Sequence, residues 1–496
     1  MSLASACLWT LTRTVFLCLL AWPICVGIER WIRGVSDARR PLAFALLLAP
    51  FLFPELLVGY TYRDAALHSP RLAEWLCVGL LLIRIVPVGV VTLLASPSSL
   101  ASAAAIYCRW MLLRVNPGSV REWQQFASCY WHGPVRRALP ALGLMSLVAF
   151  QEFELAALLQ AASWTDWFIA AQRVGLDRNE MLIKSFWPVL MQLPLLVGVV
   201  CWSVRGQELF SELNDEPSVA LPATADRGMK VYLGLAFIAG CLIPLGFMVS
   251  NLPSGLKLIV RQPTQLTGLV REILIAATVS LCASLTAWSV SHIVLNPKRG
   301  RPLSSFVRRG LLFPGLAGSL LLSLATVALF QQPWLRPMYD TPIPWVFALI
   351  IWLLPRAVLV RLWLDSIART EGVRLAEMLE SRRLATDREP TTDGDRPSSI
   401  NRFSTRASRR SVLLFRLRDQ PRLLAIGLLC YWAYLDLSTA YLLAPSGMAS
   451  GLVRLYNFMH FGRSSALSAE AFLFFGIPMV VTYLALLVGR VARRQG

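Results

Sequence analysis

Long apolar runs separated by short polar segments make up most of this chain. A helix that crosses a bilayer needs about 20 mostly apolar residues. Eleven segments meet that requirement, namely residues 8–28, 41–62, 74–95, 138–160, 181–204, 229–251, 269–296, 309–331, 342–360, 421–443 and 469–489. The pattern therefore predicts an all-α integral membrane protein with about 11 transmembrane helices.

Two of these runs, 284 residues apart, share a pattern that includes an acidic residue. Segment 150–159 reads FQEFELAALL, and segment 434–443 reads YLDLSTAYLL. In each segment an aromatic residue stands two positions before the acid, which is Glu152 in the first and Asp436 in the second. A carboxylate inside an apolar span is costly and usually faces an interior or a pathway. Its recurrence indicates that the protein consists of two related helical bundles.

The two bundles are expected to divide the chain near its middle. Residues 1–228 contain the first five predicted spans, and residues 229–496 contain the other six.

Composition and charge agree with a membrane location. The chain is 56% hydrophobic and 16% charged, whereas soluble domains average about 45–50% and about 25%. A net charge of +19 on a soluble protein would suggest nucleic-acid binding. Here one set of connecting segments holds 33 Lys and Arg and the opposite set holds 9. The positive-inside rule places the first set and the C-terminus in the cytoplasm, so we expect a multi-pass membrane protein and no nucleic-acid partner.

Three charged residues inside predicted spans are candidates for a solute pathway: Glu152, Asp436 and Arg84. The acids have a second interpretation, as buried groups that hydrogen-bond between helices and fix their packing. Arg84 either pairs with an interior acid or belongs to a helix whose end lies elsewhere. Glu154 lies on a different face of a continuous helix from Glu152, so we do not expect both to line one cavity.

Residues 121–140, REWQQFASCYWHGPVRRALP, resemble the coupling loop of permease subunits in binding-protein-dependent ABC importers. Leu139 and Pro140 match the Leu-Pro at the end of that loop, and Trp131 suits its middle. The family's Glu-Ala-Ala start and its glycine are missing, since Ala127 stands at the glycine position. The resemblance implies that this loop contacts a separate ATPase subunit.

The second half contains a similar loop over residues 366–425. Its segment 366–379 reads SIARTEGVRLAEML, with Gly372 at the position of the family's glycine. The segment 384–411 is polar and has no apolar periodicity, so we expect a disordered cytoplasmic insertion there.

A third resemblance lies near the C-terminus. Residues 434–462 are similar to a stretch of ferric-iron-type ABC permeases that ends in an aromatic-Asn segment and a His-aromatic-Gly. Tyr456, Asn457 and His460 occupy those positions on a predicted outer loop, where a periplasmic solute-binding protein would dock. Aromatic residues at that depth are also typical membrane-interface anchors.

Each half also contains a helix that resembles the proline-containing helix of the same permeases. Pro54 and Pro314 predict matching kinks in these helices. Gly59 and Gly318 are expected to let neighbouring helices approach closely.

Taken as a whole, the resemblance implies a fused two-half permease subunit of the bacterial inner membrane that moves a small solute, with ferric iron as the candidate, by alternating access. It implies a separate ABC ATPase in two copies and a periplasmic solute-binding protein as partners, besides the lipid bilayer. The chain has no P-loop spacing, so ATP hydrolysis is expected from the partner. We expect no enzymatic activity of its own, no cofactor and no metal site.

Two alternatives remain open at this point. The first alternative to the importer is a diverged permease paralogue that no longer couples to an ATPase. The second is a secondary transporter in which Glu152 and Asp436 carry protons. The departures from the coupling-loop pattern favour the first alternative, and the intramembrane acids favour the second.

Overall fold

The computed structural model describes residues 2–36, 38–95, 111, 124, 136–209, 223–261, 263–295, 305–367, 420–448, 450–460 and 465–478. These residues form helices joined by short connections, and no strand occurs among them. The prediction of an all-α protein is thereby confirmed for the described part of the chain.

The helices of the first half are α1 (Leu3–Gly34), α2 (Arg40–Leu52), α3 (Glu55–Leu67), α4 (Pro70–Leu94), α5 (Arg136–Phe150), α6 (Glu154–Leu159), α7 (Trp164–Arg173) and α8 (Arg178–Leu209). Those that follow are α9 (Ala223–Phe237), α10 (Ile243–Arg261), α11 (Pro263–Leu295), α12 (Ser305–Leu316), α13 (Ser319–Phe330), α14 (Ile343–Ile367), α15 (Gln420–Tyr434), α16 (Leu437–Leu443), α17 (Gly451–His460) and α18 (Ser465–Pro478). A π-helical turn, Ile238–Leu242, joins α9 to α10.

The same succession of helices occurs twice. A long helix, a broken helix, a straight helix, a second broken helix and a short amphipathic helix follow one another in α1–α7 and again in α11–α17. The lengths also match: α1 and α11 have 32 and 33 residues, α4 and α14 have 25 each, and α7 and α17 have 10 each. We call α1–α8 the first unit and α11–α18 the second unit.

The packing repeats as well. Helix α1 packs on α4 and α5, as α11 packs on α14 and α15, and α3 packs on α6 as α13 packs on α16. Two elements join the units. Helix α8 packs on α5 in its own unit and on α12 in the second. The α9–α10 helix, which precedes the second unit, lies against α1, α2 and α3 of the first.

Within the described residues, six helices are long and apolar enough to cross a bilayer, and nine spans result if each bent pair is counted as one. The predicted spans 138–160 and 469–489 correspond to shorter apolar helices, Ala138–Phe150 and Ser465–Pro478. These helices indicate a membrane protein. Residues 479–496 lie outside the described part of the chain.

Within the described residues, four predicted spans are broken instead of continuous, which corrects the sequence-based expectation. Pairs α2–α3, α12–α13 and α15–α16 bend by 68°, 112° and 54°, and α5 ends at Phe150 before α6 begins at Glu154. Pro54 lacks an N–H and so ends α2, which confirms the predicted kink. Pro314 instead lies inside α12, and the bend comes at Gly318, whose φ of 100° favours glycine.

Helices α7 and α17 lie at the same end of the molecule, where buried residues of both share one hydrophobic cluster with the starts of α1 and α11. Arg13, near the start of α1, donates to the carbonyl of Ala162 just before α7 at 3.2 Å. Correspondingly, Arg454 of α17 pairs with Glu272, near the start of α11, at 3.4 Å. The starts of α1 and α11 therefore lie beside α7 and α17.

The straight helices α4 and α14 begin at this end too. Glu74, near the start of α4, pairs with Arg13 at 3.1 Å. Asp340, just before α14, accepts hydrogen bonds at 3.2 Å from Ser446, which lies between α16 and α17. Both helices therefore run away from α7 and α17, and the connections that follow them, α4 to α5 and α14 to α15, leave at the opposite end.

The packing of α12 on α14 gives a testable prediction. A Cβ at Gly315 would lie 2.7 Å from Cδ of Pro355 and would also clash with the carbonyl oxygen of Ile351. We expect Gly315→Ala to lower the free energy of unfolding by about 1–3 kcal/mol, measured by thermal unfolding in detergent. Gly310→Ala on the same helix is the control, because its Cβ would meet nothing within 4 Å. Equal melting temperatures of the two variants would contradict the close approach.

Candidate functional site at the helix breaks

The helix breaks place buried acids at the starts of the half-helices that follow them. Glu152 accepts a hydrogen bond at 2.8 Å from the backbone N–H of Leu155, in the first turn of α6. Asp436 accepts one at 2.9 Å from the N–H of Thr439 in α16, and another from the hydroxyl of the same residue. Each carboxylate pairs with an N–H that has no partner within the helix and faces the positive end of the helix dipole. The acid of the repeated sequence pattern therefore has the same role in both units, which is to accept a hydrogen bond from the first turn of the following half-helix.

The carbonyls at the end of α2 are satisfied by side chains from other helices. Arg84 of α4 donates to the carbonyls of Phe53 at 3.1 Å and Phe51 at 3.3 Å. The hydroxyl of Tyr431, in α15 of the second unit, donates to the carbonyl of Leu52 at 2.5 Å. Three successive carbonyls thus receive hydrogen bonds where the helix ends inside the protein.

Arg84 also forms an ion pair with Glu55, the first residue of α3. Arg84 lies within α4, not at its end. The structure therefore supports the first interpretation of Arg84, in which it pairs with an interior acid.

The second unit repeats this arrangement at the end of α12. Arg356 of α14 donates to the carbonyl of Gly315 at 3.4 Å, and its guanidinium lies 3.8 Å from the ring centre of Trp352. Gln151, from the first unit, donates to the carbonyl of Leu316 at 2.6 Å. At the ends of both α2 and α12, an arginine of the same unit and a polar side chain of the other unit therefore donate to the carbonyls.

The charged residues at the breaks form one group, which we call the central charge cluster: Glu55, Arg84, Glu152, Glu154, Arg356 and Asp436. Glu154 lies within electrostatic range of Glu55, Glu152, Asp436 and Arg84, and Asp436 lies within range of Arg356. Glu152 and Glu154 do not lie on one continuous helix, as the sequence analysis assumed, because the helix ends at Phe150 and a new one begins at Glu154. The cluster contains residues of both units and therefore lies at their interface.

Polar contacts continue from the cluster along this interface. The amide of Gln151 donates to Oε1 of Gln192 at 2.8 Å. Gln192 itself is 1% exposed, and within the described residues its Nε2 atom has no hydrogen-bond partner. A Cβ at Gly318 would lie 3.1 Å from Gln151, so the predicted close approach at this glycine is confirmed. Gly59 likewise lets α3 approach Leu158 of α6, since a Cβ there would lie 2.8 Å from Cδ1 of that leucine.

Sequence analysis missed Arg356 and Glu55. Arg356 lies near the end of the predicted span 342–360, where an arginine ordinarily reaches towards the interface. One signal was available: Arg84 and Arg356 lie at nearly the same distance from the starts of α4 and α14. Glu55 follows Pro54, and its position was informative only once the proline was known to end a helix.

The predicted outer-loop residues lie on a helix. Residues 451–460 form α17, which is amphipathic. Tyr456 is 2% exposed, and its ring centre lies 6.2 Å from that of Tyr441. Asn457 is exposed. His460 is the last residue of α17, and its side chain lies outside the described part of the structure.

The predicted ATPase-coupling residues are described only in part. Leu139 and Pro140 lie near the start of α5, where Leu139 is 49% exposed and Pro140 is buried. Trp131 and Gly372 lie outside the described residues, as does the predicted insertion 384–411.

Comparison of the chain with protein-family models, with curated proteins and with solved structures finds no match. Among the described residues, no group of three or more His, Cys, Asp or Glu side chains is arranged to hold a metal ion. The features of the chain that bear on its function are therefore the geometry of the breaks and the internal repeat.

A double-mutant cycle tests the ion pair at the first break. Arg84→Met leaves Glu55 without its basic partner and the carbonyls of Phe51 and Phe53 without the guanidinium donor, so we expect a loss of about 3–5 kcal/mol in unfolding free energy. In Arg84→Met with Glu55→Gln the loss should be smaller than the sum of the single losses, as measured by denaturant unfolding in detergent. Arg71→Met, at an exposed position at the start of α4, is the control. Additive effects of the two changes would contradict the pairing.

The capping role of Asp436 gives a separate prediction. Asp436→Ala removes the acceptor for Thr439 and should cost about 0.5–2 kcal/mol. Asp436→Asn keeps an acceptor oxygen, so we expect it to melt close to the wild type. If Asn is as destabilising as Ala, the charge opposite Arg356 is the dominant contribution, and the capping interpretation fails.

Proposed function

We propose that this chain is the membrane-spanning permease subunit of an ABC importer, in which a small solute passes between the two units. The observation that carries the proposal is the position of the helix ends that the coupling-like loops connect. Residues 121–140 lead into α5, and residues 366–425 connect α14 to α15. These are equivalent connections of the repeated unit, and both leave at the end opposite to α7 and α17. A partner with two identical subunits, such as an ABC ATPase dimer, would meet one loop in each unit.

The opposite end suits a solute-binding protein. Helices α7 and α17 are equivalent amphipathic helices. Helix α7 lies beside the start of α1, and α17 lies beside the start of α11. The positive-inside rule assigns this end to the outside and the coupling-like loops to the cytoplasm. In a bacterial inner membrane, a periplasmic binding protein would therefore dock at the end that carries α7 and α17.

The helix breaks give a physical route from the loops to the pathway. The coupling-like loops follow α4 and α14, and these helices carry Arg84 and Arg356 to the ends of α2 and α12. A movement of the loops driven by ATP would shift both arginines relative to the breaks. Hinges between moving parts are a few element-terminal residues that absorb changes in φ and ψ, so the breaks between half-helices suit alternating access between the two units.

The central charge cluster is the proposed point of passage. It lies at the interface of the units, and it has acidic and basic groups that a polar solute can contact inside an apolar bundle. Ferric iron as the solute is supported by the resemblance of residues 434–462 alone.

A second candidate function is proton-coupled secondary transport. Within the described residues the cluster has four acids and two arginines, so some carboxyl groups lack a basic partner of their own. The capping bonds of Glu152 and Asp436 favour the importer, because protonation would remove the charge that faces each helix N-terminus.

Co-expression with the ABC ATPase subunit encoded nearest to its gene tests the proposal. We expect a tagged chain to capture two ATPase subunits after purification in detergent. Leu139→Glu places a charge on the exposed start of α5, and Gly372→Trp replaces the glycine that the resemblance assigns to the turn of the second loop. Each should reduce capture about tenfold or more, as for an interface hot spot. Leu67→Glu is the control, since Leu67 is 52% exposed at the end of α3.

The outcomes separate the importer from its alternatives. If no form captures the ATPase, the importer is excluded and proton flux is measured in liposomes with an internal pH dye. Flux that is lost in Glu152→Gln and Asp436→Asn would establish the secondary transporter. Absence of flux would leave the uncoupled permease paralogue.

A further inference from the structure

A groove with a volume of about 630 Å³ opens at the end of the molecule opposite to α7 and α17. The end of α1, the start of α2 and the start of α9 form its walls. None of the residues that line it belongs to the central charge cluster. The groove is therefore a second site, at the junction between the first unit and the α9–α10 helix.

The rim of the groove is basic. Arg30, Arg39 and Lys230 line it, together with one acid, Asp226, which pairs with Lys230 at 2.7 Å. Arg30 and Arg39 are exposed, and neither forms an ion pair with another residue in the described part of the chain. Two arginines thus face the groove with their charge available to a ligand.

The wall deeper along the helices is apolar. Leu42 and Leu46 follow Arg39 along α2, and Leu233 follows Lys230 along α9. At a rise of about 1.5 Å per residue, Leu46 lies about 10 Å deeper than Arg39. Leu42 is 64% exposed, so an apolar surface is open directly beside the basic rim. Trp31 also lines the groove, and this residue type favours the depth of lipid headgroups.

We propose that this groove binds an anionic phospholipid, with its phosphate between Arg30 and Arg39 and an acyl chain along Leu42 and Leu46. Basic pockets between transmembrane helices at the cytoplasmic side are suited to acidic headgroups. The distribution of Lys and Arg assigns this end of the molecule to the cytoplasm. A soluble phosphate would use the arginines but would leave the exposed leucine surface uncovered, whereas a phospholipid covers both.

The site does not depend on the proposed transport function. A lipid held here would contact α1 and α2 of the first unit and also α9. It would therefore fill the junction at which the α9–α10 helix crosses onto the first unit.

Native mass spectrometry of the full-length protein tests the proposal. The protein is equilibrated in mixed micelles with phosphatidylglycerol or phosphatidylcholine of the same acyl chains. We expect the wild type to retain one phosphatidylglycerol in preference to phosphatidylcholine. Arg30→Gln with Arg39→Gln should weaken that binding about 30-fold, since each basic residue near a membrane surface contributes about fivefold.

A steric variant probes the groove without altering its charge. Gly234 lines the groove, and a Cβ there would meet nothing within 4 Å, so Gly234→Trp fills the space without a clash in the backbone. We expect this variant to lose the retained lipid. Gly246 lies in α10, beyond the π-helical turn, at an equally open position outside the groove. The control variant Gly246→Trp should therefore retain the lipid. Arg71→Gln, at the opposite end, should retain it as well.

Three results would overturn the proposal. The first is equal retention of phosphatidylglycerol and phosphatidylcholine by the wild type. The second is unchanged binding in both the arginine variant and Gly234→Trp. The third is displacement of the lipid by excess inorganic phosphate, which would assign the arginines to a soluble anion.

Discussion

A helix that stops inside a bilayer leaves backbone groups that no water can satisfy, and each such group costs several kcal/mol in hydrocarbon. The breaks in this protein meet that requirement with side chains of opposite sign. Carboxylates of Glu152 and Asp436 accept from the N–H groups at the helix starts. Arg84 and Arg356 donate to the carbonyls at the helix ends. The charges in the interior are therefore a consequence of the breaks.

The same requirement explains why the two units adhere to each other. The carbonyl of Leu52 in the first unit is reached by Tyr431 of the second, and the carbonyl of Leu316 in the second by Gln151 of the first. Neither broken helix would be fully hydrogen-bonded in an isolated unit. Since apolar burial does not drive association between helices in lipid, these reciprocal hydrogen bonds help to specify the interface. The candidate pathway lies where the units are incomplete without each other.

The all-helical class and several candidate spans could be predicted from the sequence, because apolar runs of bilayer length are a strong signal. The repeated acids also gave the relation between the halves. The breaks could not be predicted as such: Pro54 indicated one, but Pro314 lies inside a helix and Gly318 provides the bend. A glycine with positive φ and an acid that caps a half-helix have the same sequence signal as a packing glycine and a buried acid.

The contacts of the central charge cluster could not be predicted from the sequence either. Arg84 was noticed because it interrupts an apolar run, whereas Arg356 lies close to the end of one. Hydrogen bonds between the units join residues separated by 379 and 165 positions, and no local pattern encodes such pairs. What the sequence did contain was the repetition itself, from which the equivalence of α4 with α14 follows.

The ion pairs at the end that carries α7 and α17 have reversed signs in the two units. Helix α1 contributes a base there, Arg13, and the equivalent helix α11 contributes an acid, Glu272. If α1 packed beside α17, Arg13 would face Arg454; if α11 took the place of α1, Glu272 would face Glu74. Duplicated bundles with similar apolar surfaces are liable to exchange partners during membrane insertion. The reversed pairs make such an exchange repulsive. Each duplicated helix is therefore favoured to pack within its own half.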